Sequence, residues 1–232
     1  LDTFTGGALS RGAGENVNTY TINIGNLSVG SNYSVALHAT PVNFSITKAN
    51  ANITVTPYSV IYDGNPHTSV GTATGVESIP VDLSSLLDLS GTTHTNADTY
   101  NSDAWTFAGD NNYNSANGTV NNAIAKATPV IAWSNPADIA YGTALSSTQL
   151  NASTPVAGVF AYTPPVTTVL NAGAGQTLST TFTPTDTANY NNVTQTATIN
   201  VSKATPVITW ATPADISAGT ALNGTQLNAS AT

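Results

Sequence analysis

The chain has 232 residues, 40% of them hydrophobic and only 7% charged, with four basic residues against twelve acidic ones and a formal charge of −8. So few basic groups exclude a nucleic-acid or anionic-membrane binder, and the absence of Cys excludes disulfide scaffolds, Cys-ligated zinc and thiol chemistry. No apolar run reaches the roughly 18 residues of a membrane-spanning helix, and polarity comes from Thr, Asn, Ser and Gly rather than from charge.

Period-two alternation predicts half-buried strands along the chain. Tyr20, Ile22 and Ile24 alternate with Thr19, Thr21 and Asn23; Phe44 and Ile46 follow, then Ile53 and Val55. Val130, Ile131 and Trp133 open a later strand, and Ala197, Ile199 and Val201 alternate with Thr198, Asn200 and Ser202. Turn chemistry separates these runs at Asp63-Gly64-Asn65-Pro66, Gly109-Asp110-Asn111-Asn112, Asn117-Gly118 and Asn171-Ala172-Gly173. Pro and Gly are too dense for any long amphipathic helix.

The sequence repeats itself. Lys126-Ala-Thr-Pro-Val-Ile-Ala-Trp133 returns as Lys203-Ala-Thr-Pro-Val-Ile-Thr-Trp210, and the match runs on to Thr148-Gln-Leu-Asn-Ala-Ser153 against Thr225-Gln-Leu-Asn-Ala-Ser230, 77 positions later throughout (203 minus 126). Asn-Tyr pairs end in Tyr33, Tyr113 and Tyr190, and Lys48, Lys126 and Lys203 follow them at one repeated position, read as a domain junction. Asn18-Thr-Tyr20 and Asp98-Thr-Tyr100 also correspond. The segments are therefore 1–48, the last part of a repeat; 49–126 and 127–203, complete repeats; and 204–232, the first 29 residues of another. The first and last segments together make one period. Short strands with frequent turns in a unit of about 77 residues describe an all-β chain of small antiparallel β-sandwiches, with a barrel as the alternative. Trp133, Trp210 and the three Asn-Tyr tyrosines are read as core or junction residues, the tyrosines as ties at a sandwich corner.

Several of these segments resemble known repeats. Ala13-Gly-Glu-Asn-Val-Asn-Thr-Tyr20 with Gly30-Ser-Asn-Tyr33 looks like the C-terminal part of an MBG-type bacterial immunoglobulin-like repeat. Tyr62-Asp-Gly-Asn-Pro-His67, Gly71-Thr-Ala-Thr-Gly75 and Asn112-Tyr-Asn114 resemble a related type, and the unit from Ala127 is similar to Ig-like repeats of long tandem arrays. The resemblance implies tandem Ig-like sandwiches in a large extracellular or cell-surface protein, acting as stalk, spacer or adhesive shaft, with no catalytic residues to carry over.

The ionisable groups agree with that expectation. Twelve carboxylates are scattered without a paired acid–base motif, and no Gly-x-Ser-x-Gly elbow occurs. Of the three histidines, His67 and His94 share a repeat and can meet, with a turn role favoured over a metal. Asp110 and Asp186, each just before an Asn-Tyr pair, are the Ca²⁺ candidates, weighed against plain Asx-turns. Asn-x-Ser/Thr triplets such as Asn26-Leu-Ser28 and Asn228-Ala-Ser230 make attached glycans conceivable.

Two functions follow as expectations. The first is a non-catalytic structural module of an extracellular filament or surface stalk, its partial end segments completed head to tail by neighbouring subunits or by the rest of a longer chain. The second is an adhesin or carbohydrate-binding module, for which Val81–Leu89 is the most idiosyncratic stretch.

Overall fold

The structure is a computed structural model and describes residues 4–231. Among the described residues it is all-β, with two three-residue 3₁₀ turns at Ser84–Leu86 and Ser90–Thr92 as its only helical pieces. The chain divides into two units, residues 1–126 and 127–232.

The first unit holds β1 (Ser10–Arg11), β2 (Asn18–Asn23), β3 (Asn43–Ile46), β4 (Asn52–Thr56), β5 (Ser59–Ile61), β6 (Val70–Thr74), β7 (Leu87–Asp88), β8 (Asp98–Phe107) and β9 (Ala116–Ala125). They form three sheets, ordered β1-β2-β3, β4-β6 and β5-β9-β8-β7. All pairings are antiparallel except β5 with β9, where Val60 stands opposite Ile124. The core lies between the second and third sheets. Ala73, Leu83, Phe107 and Tyr113 are buried there, with Ile53, Leu87, Trp105 and Ala116 packed around them.

The second unit holds β10 (Ile139–Ala140), β11 (Gly158–Thr163), β12 (Gly173–Pro184), β13 (Val193–Ser202), β14 (Ile208–Thr209) and β15 (Ser230–Ala231). Their sheets run β10-β13-β12-β11 and β14-β15. Here too one pairing is parallel, β10 on β13, with Ile139 opposite Val201. The alternation seen in the sequence drives the burial: Leu178, Ala197 and Ile199 point inward and join Trp133, Leu145 and Leu150 in one core.

The long hairpins β8–β9 and β12–β13 carry the same irregularity. Each has a bulge, between Tyr100 and Asp103 and between Gly173 and Gln176. At each, a residue with positive φ, Ser102 or Gly175, donates its N–H to an Asn side chain on the facing strand, Asn121 or Asn200.

One sequence expectation is corrected. Asn117-Gly118 is no turn but part of β9, because the ring of Trp105 occupies the space over Gly118; a Cβ there would lie 2.5 Å from Trp105 Cζ2. Two further tyrosines tie the chain to its own backbone. They are Tyr20, whose hydroxyl donates to the Asn16 carbonyl at 2.8 Å, and Tyr100, which donates to the Asn96 carbonyl at 2.7 Å. In the stretch 81–89, Leu83 is buried, Leu86 and Leu87 pack on the core, and β7 pairs with β8.

Candidate functional site

The feature that best distinguishes one part of the chain from another is an apolar face on residues 204–231. Its local build copies residues 127–154 bond for bond. Trp133 Nε1 donates to the Gln149 carbonyl at 3.1 Å, and Trp210 Nε1 to the Gln226 carbonyl at 2.9 Å. The Gln149 side-chain oxygen accepts the Ser146 N–H, and that of Gln226 accepts the Asn223 N–H. The Leu150 and Leu227 amides each reach the carbonyl four residues back at 3.0 Å. Gly142 and Gly219 both take positive φ, 97° and 87°, at the turn that precedes these bonds, a conformation that Gly adopts without penalty.

Burial then separates the two copies. Ile131, Trp133, Leu145 and Leu150 are 8%, 9%, 2% and 6% exposed; Ile208, Trp210, Leu222 and Leu227 are 70%, 55%, 59% and 58% exposed. Val130 and Val207 are exposed in both copies, so the difference belongs to the inward face alone. What covers that face in residues 127–202 is β12 and β13, through Leu178, Ala197 and Ile199, with Tyr162 and Leu170 at the margin. Fully burying one such aliphatic or aromatic side chain is worth about 1.5–3 kcal/mol.

Residues 4–48 carry their own unburied groups. Phe4, Leu9, Tyr33 and Val42 are exposed, while Tyr20 is buried against Phe44 with ring centroids 5.6 Å apart. Tyr33 thus differs from its repeat mates. Tyr113 is buried, and its hydroxyl donates to the Glu77 carboxylate and accepts the Val76 N–H at 3.1 Å. That bond holds Glu77 below the usual carboxylate range and pushes the Tyr113 hydroxyl up. Tyr190 is half-buried.

The loop candidates for Ca²⁺ act as turn caps. Asp110 Oδ1 accepts the N–H groups of Asn112 and Tyr113 at 2.7 and 2.8 Å. Asp186 Oδ1 accepts the Asn189 N–H at 3.1 Å, and its Oδ2 accepts the Asn189 amide at 2.9 Å. Among the described residues no group of three or more His, Asp or Glu is arranged to hold a metal ion.

The junction lysines part company. Lys48 Nζ donates to the Asp110 carbonyl at 2.5 Å, beside Asn112, whose side chain meets the Val17 N–H and Asn16. These bonds join the first segment to the Asp110 loop. Lys126 is exposed, and Lys203 lines a shallow cavity with Tyr141 and Asn171.

His67 and His94 do meet. Their backbones exchange two hydrogen bonds, and each ring nitrogen Nε2 contacts a carboxylate, Asp63 at 3.0 Å and Asp103 at 2.9 Å. Asp103 also accepts from Asn122, which is buried and receives the Ser69 hydroxyl. His94 stacks flat on Tyr100, 3.5 Å between centroids. Burial, then Asp103, raises the Tyr58 hydroxyl beside this network. Asp63 is held at about 2 by hydrogen bonds from Asn65 and His67. No buried side-chain polar atom among the described residues lacks a partner, so the network reads as a satisfied polar seam. Sequence reasoning placed the two histidines together but missed Asp103 and Asn122, because strand register, not spacing, brings them in.

No family model matches the chain, and no curated protein matches it. Among the described residues no helix is long and apolar enough to cross a membrane.

Proposed function

We propose that the chain is a non-catalytic structural module of an extracellular filament or cell-surface stalk, built from tandem Ig-like β-sandwiches about 77 residues apart. The observation that carries this reading is the structural repeat: residues 204–231 form the same turns, Trp-to-carbonyl bond and Gln cap as residues 127–154. Tandem modules of one build stack by nearest-neighbour contacts, which suits a stalk or filament. The low charge and the abundant Thr, Asn and Ser suit a surface exposed to water, and the exposed Asn-x-Ser/Thr triplets suit attached glycans.

The reading is tested by immuno-electron microscopy of intact cells with antibody against the chain. Label along surface fibres or stalks, together with a blank glycan array, is the expected result. Label confined to the cell interior contradicts it, and saturable binding to one glycan class favours the adhesin reading instead.

A further inference from the structure

The joint between residues 4–48 and the repeat that follows is held by side-chain hydrogen bonds. Among the described residues no sheet contains strands from both sides of it, and neither cluster of buried apolar side chains spans it. A cavity of about 320 Å³ lies there instead, with Glu15, Val17 and Ile46 on one side and Val76, Glu77 and Tyr113 on the other. Thr47 and Lys48 separate the end of β3 at Ile46 from Ala49, which bridges to Tyr113. Two parts of a chain joined without a shared apolar core move against each other unless something directional fixes them.

Asn112, of the second Asn-Tyr pair, is that directional group. Its Oδ1 accepts the Val17 N–H and its Nδ2 donates to Asn16 Oδ1, both at 2.9 Å. Both ends of one amide thus engage two consecutive residues that lead straight into β2, which sets orientation as well as separation. Each end of the contact is anchored in its own part. The Asn16 carbonyl accepts the hydroxyl of Tyr20, which is buried against Phe44. On the other side, Asp110 Oδ1 caps the Asn112 N–H at 2.7 Å, and the Asn112 carbonyl accepts the Ala49 N–H at 2.9 Å. The neighbouring Tyr113 is buried in the core of the repeat. Lys48 Nζ, donating to the Asp110 carbonyl, adds a tie through a flexible four-carbon stem.

We propose that the Asn112 side chain is a latch. It holds residues 4–48 in one orientation on the repeat of residues 49–126, and breaking it lets the two parts swing about Thr47-Lys48 while each stays folded. The latch goes beyond the structural-module reading and stands or falls without it.

The test uses the full 232-residue chain, which has no native Cys. Nitroxide labels on a Thr21→Cys, Thr119→Cys variant sit at exposed strand positions on opposite sides of the joint, and pulsed electron paramagnetic resonance reads the distance between them. A second pair, Thr54→Cys with Thr119→Cys, lies within the repeat and reports whether it stays folded. With Asn112 in place, the first pair is expected to give one dominant narrow distance. Asn112→Ala, which spares the backbone bonds of residue 112, is expected to leave a broad distribution across the joint and an unchanged one within the repeat. Asn16→Ala removes one side-chain bond from the opposite side and keeps the carbonyl that Tyr20 uses, so it is expected to broaden the first distribution by less. A cross-joint distance that is already broad with Asn112 in place overturns the proposal. So does one that stays narrow in a folded Asn112→Ala or, should that variant unfold, in Asn16→Ala.

Discussion

Residues 127–154 and residues 204–231 are two copies of one local structure in different surroundings. Their turns, their Trp-to-carbonyl bonds and their Gln caps agree, so these are properties of the segment itself. Burial is not: Leu145 is 2% exposed and Leu222 59%. The difference teaches that the short-range pattern fixes backbone shape, while the free energy of folding comes from the facing hairpin. In the covered copy, β12 and β13 supply that hairpin. In residues 204–231 the same side chains are exposed.

The largest expected effect breaks this symmetry directly. Leu145→Ala should lower the stability of the second unit by roughly 2–5 kcal/mol, the usual range for emptying a packed leucine site. Leu222→Ala, the same change 77 residues later, should move it by no more than about 0.5 kcal/mol in dilute monomer. Denaturant unfolding followed by circular dichroism compares them. Equal losses would mean that the two copies are equally covered.

A second contrast lies in the hairpins. Gly118→Val forces a branched side chain into the ring of Trp105 and should cost roughly 1–3 kcal/mol. Gly175→Ala at the β12 bulge meets nothing within 4 Å and bears only the cost of its positive φ. Thermal unfolding of the pair should rank them in that order.

Smaller again are the loop caps. Asp110→Ala removes an acceptor from two N–H groups and should cost about 1 kcal/mol, whereas Asp110→Asn keeps an acceptor and should cost much less. Asp186→Ala should behave like Asp110→Ala, and a chelator should leave the unfolding temperature of the unmodified chain unchanged. A calcium-dependent rise in that temperature, abolished by either substitution, would assign these carboxylates to a metal instead.

The smallest effect is a pH dependence of the first unit. Glu77 is lowered by the bond from Tyr113, so its contribution is present above the ordinary carboxylate range and is lost as the pH falls through its lowered value. Tyr113 is raised by the same bond, so its contribution is present below the ordinary tyrosine value and is lost as the pH rises through the raised one. Tyr113→Phe should flatten both limbs in a stability–pH profile. Tyr190→Phe in the second unit provides the comparison.

Much of the strand pattern was legible because period-two alternation is written locally, as in Tyr20, Ile22 and Ile24 or Ala197, Ile199 and Val201. The repeat was legible as identity of residues. What escaped is what register decides. Asn117-Gly118 has turn chemistry but sits mid-strand beneath Trp105, and the ties of Tyr20 to Asn16 and of Tyr100 to Asn96 went unread. Likewise Trp133 and Trp210 are indistinguishable in sequence, and only the presence of a covering hairpin separates a buried indole from an exposed one.

The account turns on that last point, and one chimera tests it most directly. Residues 156–203 are appended after residue 232, which corresponds to residue 155, so that the open face is followed by the cover that residues 127–154 already have. Trp105 and Trp133 are replaced by Phe, leaving Trp210 as the only fluorophore of its kind. The account predicts that Trp210 emission, red and readily quenched by acrylamide in dilute unextended chain, shifts to the blue and becomes protected in the chimera. Trp210 emission that stays red and quenchable in a folded chimera would contradict it, because the segment would then fail to form a core even with its matching half supplied.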